Sequence, residues 1–341
     1  MEGLKIAKLE DFLHFEANAL ALIEESFQYS SPFHYSIDFF PLVKKENSSH
    51  RYILIKNETE VIGHIGVKEK ILSHHQFDFK VIFLGGIAIK DSERGKGYFS
   101  LLMNEVIKTY YSDVAMMFLW SDKPDLYQKF GFELCIGQIQ VSGTAEKELL
   151  ERKYFKDLDW EDKKRIRDIY NKTLQEDCFS IKRNKEEWNE IEQITSAQFH
   201  LLRNKERIVA YFVKDKGKDL NNIAHEIGYE EEKYLKEMIN SSAATFWLPE
   251  KFLQLWPEAP IQYGAMVKIS QPDLFHDFIS VWSDGEINTL NVKENIVKFL
   301  FNDEIFSLSS QEFLASVFGP YPLREFQPFN KNLYISGLDS I

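Results

Sequence analysis

Arg94-Gly95-Lys96-Gly97-Tyr98-Phe99 is the stretch on which the reading of this chain turns. Its two glycines let successive backbone N–H groups point into one concavity, and a helical pattern runs from Tyr98 to Tyr110 directly behind them. A helix N-terminus so placed adds its positive end, and the combination suits a pyrophosphate. Arg94 and Lys96 supply cations at the same spot. The stretch has neither the Gly-Lys-Ser/Thr of a P-loop nor the Gly-x-Gly-x-x-Gly of a dinucleotide turn. Taken alone the spacing is a weak motif, because a plain glycine turn before a helix is commoner than a phosphate cradle.

Working outward, Phe77 to Ile89 alternates as a strand and carries Gly85-Gly86 in its middle. Paired glycines there predict a bulge, or a place where a ligand or another backbone comes close. Leu4 to Leu9, Arg51 to Ile55 and Val61 to Leu72 also read as strands, the last two around the turn Lys56-Asn57-Glu58-Thr59. Helices are predicted over Glu10 to Phe27 and Ser36 to Lys45. On the other side, Val114 to Trp120 is a strand, Asp122 to Phe130 a short helix and Phe132 to Val141 a strand. The order is β-α-α-β-β-β-α-β-α-β, with the glycine turn between a strand and a helix.

About 30 residues after the turn comes Leu126-Tyr127-Gln128-Lys129-Phe130-Gly131-Phe132, and the pair of segments resembles the GNAT (Gcn5-related N-acetyltransferase) superfamily. Arg94 and Gly97 match its Arg/Gln-x-x-Gly-x-Gly/Ala signature, and Tyr127, Gly131 and Phe132 match its Tyr-x-x-x-Gly-Phe signature. Phe99 departs, standing where the family usually has Gly or Ala. The resemblance implies acetyl-CoA as cosubstrate and no metal. It places the pyrophosphate on the backbone of Arg94, Gly95, Lys96, Gly97, Tyr98 and Phe99, and the pantetheine arm along Ile87, Ala88 and Ile89. Tyr127 would then lie near the thioester sulfur, where a phenol with pKa ~10 can protonate the leaving thiolate. The competing reading of Tyr127 is a core tyrosine.

The stretch Leu119 to Phe132 is similar to the enhanced-intracellular-survival (Eis) acetyltransferases of actinobacteria, and Arg183 and Trp188 resemble that group less specifically. The expected fold class is therefore α/β (α+β), a GNAT fold with a mixed central sheet. Residues 1–145 form the catalytic GNAT domain, 146–262 a second, degenerate GNAT-like domain, and 263–341 a small α+β, sterol-carrier-like region. The residues themselves support a second copy. Helices at Trp160 to Leu174 and Lys185 to Ile194 precede strands at Phe199 to Arg203, Ile208 to Val213 and Asn222 to Tyr229. Helix Glu231 to Ile239 and strand Ala243 to Leu248 follow. Its turn, Gly228-Tyr229-Glu230-Glu231-Glu232, puts three carboxylates where a phosphate would bind, so this copy should not bind coenzyme A. Beyond it, a strand near Met266 to Ile269, a turn at Ser283 to Glu286 and a helix Ser310 to Phe318 capped by Ser309 or Ser310 are predicted.

Members of the Eis group use their own C-terminal carboxylate as base, which here would be that of Ile341. The stretch from Leu333 to Ile341 is apolar to its end and should dock. It either completes the packing of the third region or reaches the first domain with the Ile341 carboxylate; Asp339 is the alternative base. His64 reads as structural, His74-His75 as a hairpin tip rather than a metal site, and Glu24 and Glu25 as a solvated helix face. Tyr29, Phe33, Tyr35, Phe39 and Phe40 line either an acceptor pocket or the core.

A length of 341 residues allows two or three domains. The formal charge of -12 argues against nonspecific nucleic-acid binding and leans towards a cationic substrate. No window approaches the ~18 apolar residues of a membrane helix, and the start lacks a secretory signal, so a cytoplasmic protein is expected. Cys135 and Cys178 read as buried structural thiols. The expected activity is acetyl-CoA-dependent N-acetyltransfer to a primary amine by direct attack, the acceptor being a small-molecule or peptide amine. The alternatives are a noncatalytic acyl-CoA-binding sensor or interaction protein and an acyltransferase for longer acyl donors. The oligomeric state is left open between a monomer and a homo-oligomer, although the related acetyltransferases assemble as oligomers.

Overall fold

The chain is described by a computed structural model over residues 3–147, 149–175, 178–319 and 332–341. β1 (Leu4–Lys8) leads to α1 (Glu16–Ser26), α2 (Tyr35–Asp38) and α3 (Phe40–Val43). The antiparallel run β2 (Arg51–Lys56), β3 (Glu60–His74) and β4 (Phe77–Ile89) follows. The first half ends with α4 (Tyr98–Tyr110), β5 (Met116–Leu119), α5 (Asp125–Gln128) and β6 (Glu133–Ser142). The second comprises β7 (Glu151–Lys153), α6 (Trp160–Tyr170), β8 (Ser180–Ile181), α7 (Lys185–Ile191), β9 (Gln198–Asn204), β10 (Arg207–Lys214), β11 (Ile223–Tyr229), α8 (Glu232–Asn240) and β12 (Thr245–Pro249). β13 (Ile261–Ile269), α9 (Pro272–Trp282), β14 (Leu290–Lys293), β15 (Ile296–Phe301), β16 (Glu304–Ser309) and α10 (Ser310–Phe318) complete the order.

The mixed α/β expectation holds, and α4 has the bounds the pattern gave. Two helices differ. The one expected from Glu10 starts as a 3-10 stretch in which Phe12 is non-helical at φ −140°, and α-geometry begins only at Glu16. The one expected from Ser36 to Lys45 is split into α2 and α3, because Pro41 has no N–H to continue the ladder from Ile37.

Twelve strands share one path in the order β1-β2-β3-β4-β5-β13-β6-β12-β11-β10-β9-β7, while β8 pairs with β3. The two halves trade their last strands. β6 pairs with β12 from Thr245↔Ser142 to Pro249↔Gln138, whereas β13 pairs with β5 from Met266↔Leu119 to Ile269↔Met116. β6 and β13 then pair with each other, making the sheet continuous across both halves. The strand expected near Met266 thus belongs to the main sheet, and the boundary expected at 262/263 runs through β13.

One face of the first half is closed by α4, whose Leu102, Met103 and Val106 pack on Ile62, Ile82 and Met117. The other face buries Phe83 and Phe118 against Leu22 and Ile23 of α1 and Phe278 and Trp282 of α9. Each such side chain contributes about 1.5–3 kcal/mol relative to exposure. β14, β15 and β16 form a separate antiparallel sheet, and α10 is capped by Ser309, which forms a capping box with Glu312. Cys135 and Cys178 are both buried free thiols. Among the described residues no helix is long and apolar enough to cross a membrane.

Candidate active site

The site begins where β4 and β5 part. Their parallel ladder runs from Val81↔Met116 to Leu84↔Leu119 and ends there. β4 continues to Ile89 with β3 as its ladder partner, through Gly85↔Gly66, Ala88↔His64 and Ile89↔Gly63. Ile87, Ala88 and Ile89 therefore lie on a strand whose β5 side has no ladder among the described residues. The register shifts on β3 between His64 and Gly66, and Gly86 opposite takes φ +57°, so the glycine pair does mark a bulge.

His64 holds that bulge. Its Nδ1 bonds the Gly86 carbonyl at 2.7 Å, while its Nε2 accepts from Arg51 Nε at 3.2 Å. Burial and the adjacent Arg51 guanidinium push its pKa down to about 3, so the ring is neutral and Nδ1 carries the proton that Gly86 accepts. A Cβ on Gly86 would also meet the Tyr35 hydroxyl at 3.2 Å. Tyr35 sits among Phe27, Tyr29 and Phe39, its ring centroid 4.6 Å from that of Phe39. Glu24, one of the two helix-end carboxylates, accepts from the Tyr35 N–H at 3.2 Å, and Glu25 is exposed.

After β4 the chain makes a 3-10 turn at Asp91–Glu93 and enters Arg94-Gly95-Lys96-Gly97. Gly95 and Gly97 take φ +77° and +83°, a region costly for residues with a Cβ, and Gly97 caps α4 with no side-chain acceptor. The first intrahelical bond runs from the Leu101 N–H to the Gly97 carbonyl at 3.0 Å. The amides of Tyr98, Phe99 and Ser100 are thus the orphan donors of a helix start. Three cations ring the turn. Arg94 pairs with Asp91 at 2.7 Å, Lys96 with Glu93 at 3.0 Å, and Lys129 reaches Ser100 Oγ at 3.0 Å.

Tyr127, on α5, is 8% exposed and lies edge-on to Phe99, with centroids 5.6 Å apart. Burial raises its phenol pKa; a hydrogen bond with Ser121 opposes this, and the charge of Asp122 adds to it. The group stays protonated through the ordinary pH range. Phe99, the departure from the family signature, also packs edge-on against Phe130 at 5.4 Å.

The C-terminal stretch joins the apolar cluster that holds Phe278 and Phe313 of the third region through Leu333, Ile335 and Ile341, and it also reaches both halves. Leu333 bridges Phe179, and the Tyr334 hydroxyl donates to the carbonyls of His225 and Trp247 at 2.7 and 3.1 Å. Ser336 donates to Glu226. The chain then crosses to the first half, where Ile341 is 8% exposed and its carboxyl carbon would stand 2.6 Å from a Cβ on Gly85. Gly85 is thus a glycine because another backbone lies on it. Asp339 does not reach the site. It is buried 2.8 Å from Arg183 and 3.5 Å from Lys70, and although burial opposes it, these cations hold its carboxyl below the usual range, which makes it a poor base.

The sequence-derived candidates therefore fall into one neighbourhood: Ile87 to Ile89, Arg94 to Phe99 and Tyr127 around the β4–β5 opening, and Ile341 on its Gly85 edge. His74 stacks on Phe179 at 4.5 Å, and among the described residues no three His, Cys, Asp or Glu side chains gather as a metal set. Sequence reasoning missed the Arg51-His64 support of Gly86; the signal available was a basic residue and a histidine on adjacent strands. It also missed Lys216, for which no pattern stood out.

Residues 14–135 match the family model described as an acetyltransferase (GNAT) domain. No curated protein sequence matches. A probable N-acyltransferase from Enterococcus faecalis V583 is similar in structure, with TM-score 0.58 and 13% identity over 90% of this chain and 84% of that one. A GCN5-related N-acetyltransferase from Kribbella flavida gives 0.58 and 12% over 92% and 89%. Eis1 from Mycobacterium abscessus gives 0.53 and 8% over 89% and 84%. At these identities the likeness is one of fold, and it spans both halves and the C-terminal region.

Proposed function

We propose that this chain, whose residues 14–135 form a GNAT acetyltransferase domain, moves an acetyl group from acetyl-CoA to a primary amine by direct attack. The observation that carries the reading is the unladdered side of β4 at Ile87 to Ile89 running into the unpaired amides behind Gly97, with the Tyr127 phenol buried next to them. Pantetheine amides would extend the sheet along β4. The pyrophosphate would lie on the backbone of Arg94 to Phe99, near Arg94, Lys96 and Lys129.

In the reaction the free amine attacks the thioester carbonyl, and the tetrahedral adduct collapses with cleavage of the C–S bond while its nitrogen sheds the proton that, through solvent, restores the Tyr127 phenol. Tyr127 gives its proton to the departing sulfur, a task suited to a phenol kept neutral by burial. The acceptor must first lose a proton, and the Ile341 carboxyl group beside Gly85 is the proposed base. A cationic acceptor fits the surroundings, because Asp38 and Asp219 lie close enough to raise the Tyr29 phenol pKa, after burial itself. The second half, with its acidic turn, is proposed to serve as a scaffold that does not bind coenzyme A, and the region after β13 as a sterol-carrier-like appendage.

The test is thiol release from acetyl-CoA with a panel of spermidine, lysine, an aminoglycoside and a dipeptide. Tyr127→Phe should lose turnover yet keep acetyl-CoA affinity by calorimetry. A chain that binds acetyl-CoA and acetylates nothing, with Tyr127→Phe unchanged in every output, would instead be an acyl-CoA sensor. Because Phe99 narrows the space near Tyr127, the panel is repeated with longer acyl donors; faster turnover with these would replace acetyl as the transferred group.

A further inference from the structure

Lys216 is a lysine with 1% exposure, placed between two left-handed residues, Asp215 at φ 62° and Gly217 at φ 66°, in the loop from β10 to β11. The loop is fixed by its own bonds. Asp215 accepts from the Asn222 N–H at 2.6 Å through its side chain and bonds His225 Nε2 at 2.7 Å through its carbonyl. The Lys216 ammonium therefore leaves a rigid base, and among the described residues its hydrogen bonds go to one segment. It donates to the Gly337 and Ser340 carbonyls, each at 2.6 Å, and lies 3.4 Å from Ser340 Oγ. Its remaining side rests 4.7 Å from the centroid of Phe39, in the aromatic group around Tyr35.

Burying an ammonium is costly, and an apolar residue would fill the same slot more cheaply. The cost is visible in the group itself: burial pushes its pKa down to about 7 against the pull of Asp339 and Asp38. What the charge secures is an orientation. The Ser340 carbonyl belongs to the peptide unit that carries Ile341, so holding it fixes the plane from which the Ile341 carboxyl projects onto Gly85. Gly337, the other point held, is packed so closely on His225 that a Cβ would stand 2.5 Å from its ring, which removes slack from the bend.

We infer that Lys216 is a positioning residue of the transfer reaction: from the second half of the molecule it sets where the Ile341 carboxyl group stands at the β4 bulge of the first. The inference rests on the reading of that carboxyl group as the base. It makes the second half a working part of the site through one ammonium group.

The experiment compares wild type, Lys216→Met, a chain lacking Ile341, and the double variant. Carboxypeptidase release of Ile341, followed by mass spectrometry, should speed up at least ~10-fold in Lys216→Met, since a held segment must open before it is cleaved. Turnover with the amine panel should fall ~10- to 100-fold through kcat, with acetyl-CoA affinity unchanged, as expected for a displaced group. The double variant should be no slower than the chain lacking Ile341, because Lys216 acts through that residue. If Lys216→Met fails to fold, Lys216→Gln carries the same readouts. Wild-type release and wild-type kcat in a folded Lys216 variant would overturn the inference while leaving the base reading intact if removal of Ile341 still abolishes turnover. Full turnover without Ile341 would overturn the base reading and the positioning role together.

Discussion

The loop after β4 and the loop after β11 occupy matching places in the two halves, each between a strand and the helix that follows it. The first takes two glycines with positive φ and leaves the amides at the start of α4 unmet. In the second, Glu230 lies where negative charge is favoured and is held by Arg165 and Arg207, the latter at 2.7 Å. The Thr173 hydroxyl further ties the loop to the turn after α6 by accepting from the Tyr229 N–H at 3.0 Å. The second loop thus carries a carboxylate of its own held among arginines, whereas the first carries Arg94 and Lys96 beside its glycines. The lesson is that two loops at matching places differ in backbone conformation as well as charge, and of the two the first has the glycines at positive φ that turn successive amides inward.

The largest effect should come from making the first loop resemble the second. Lys96→Glu combined with Gly97→Glu puts two carboxylates at the start of α4 and removes a residue suited to φ +83°. Acetyl-CoA affinity should fall more than ~1000-fold by calorimetry, since both the charge and the amide geometry are lost. Undiminished binding would break the comparison at its root. Next in size, Tyr127→Phe should lower kcat ~100- to 1000-fold. Because burial raises the Tyr127 phenol pKa, wild-type activity should show no loss from its ionisation as pH rises towards 10. An alkaline limb that starts well below that and disappears in Tyr127→Phe would assign the phenol a different state.

Much of this contrast was legible in the sequence because it is local. Glycine at positive φ, a helix start and a run of glutamates act over a few residues, and α4 and the β2–β3–β4 meander followed from period alone. The exchange of β6 and β13 was not legible, since both strands carry alternation that fits either neighbour, and the partner is set by packing over more than 100 residues. The 3-10 start before α1 escaped for a related reason: Phe12 and Phe15 keep helical spacing although the backbone at Phe12 does not. The path of the last residues was open because it depends on Lys216 and Arg183, far away in sequence, and Asp339 could be assigned to a salt cluster only once those cations were placed.

That cluster gives a third test, smaller than the first two. Arg183, buried between Tyr170 and Trp188, is shared by Asp339 and Glu226. Asp339→Asn leaves those cations short of one charge and should cost about 3 kcal/mol by denaturant melts near neutral pH. The sign of the pH dependence follows from the depressed folded pKa of Asp339. Its contribution is complete above the unfolded value near 3.8 and is lost as pH falls through the lower folded value. Between pH 5 and pH 2 the wild type should therefore lose more stability than Asp339→Asn, and equal slopes would place the titrating carboxylates elsewhere.

The smallest effect is the reverse of the loop transplant. Glu230→Gln removes one of the three carboxylates of the second loop, the one held by two arginines, but not its architecture. Gly228 lies so near Tyr211 that a Cβ there would meet the ring at 2.4 Å, and Thr173 still holds Tyr229 at 2.8–3.0 Å. Arg165 and Arg207 then face a neutral amide at a partly exposed position, so the cost should be about 1 kcal/mol or less. Acetyl-CoA should still bind with a stoichiometry of about one per chain, because two arginines alone do not form the run of inward amides that the glycines of the first loop allow. A second binding event in calorimetry would mean that charge alone, and not backbone conformation, had separated the two halves.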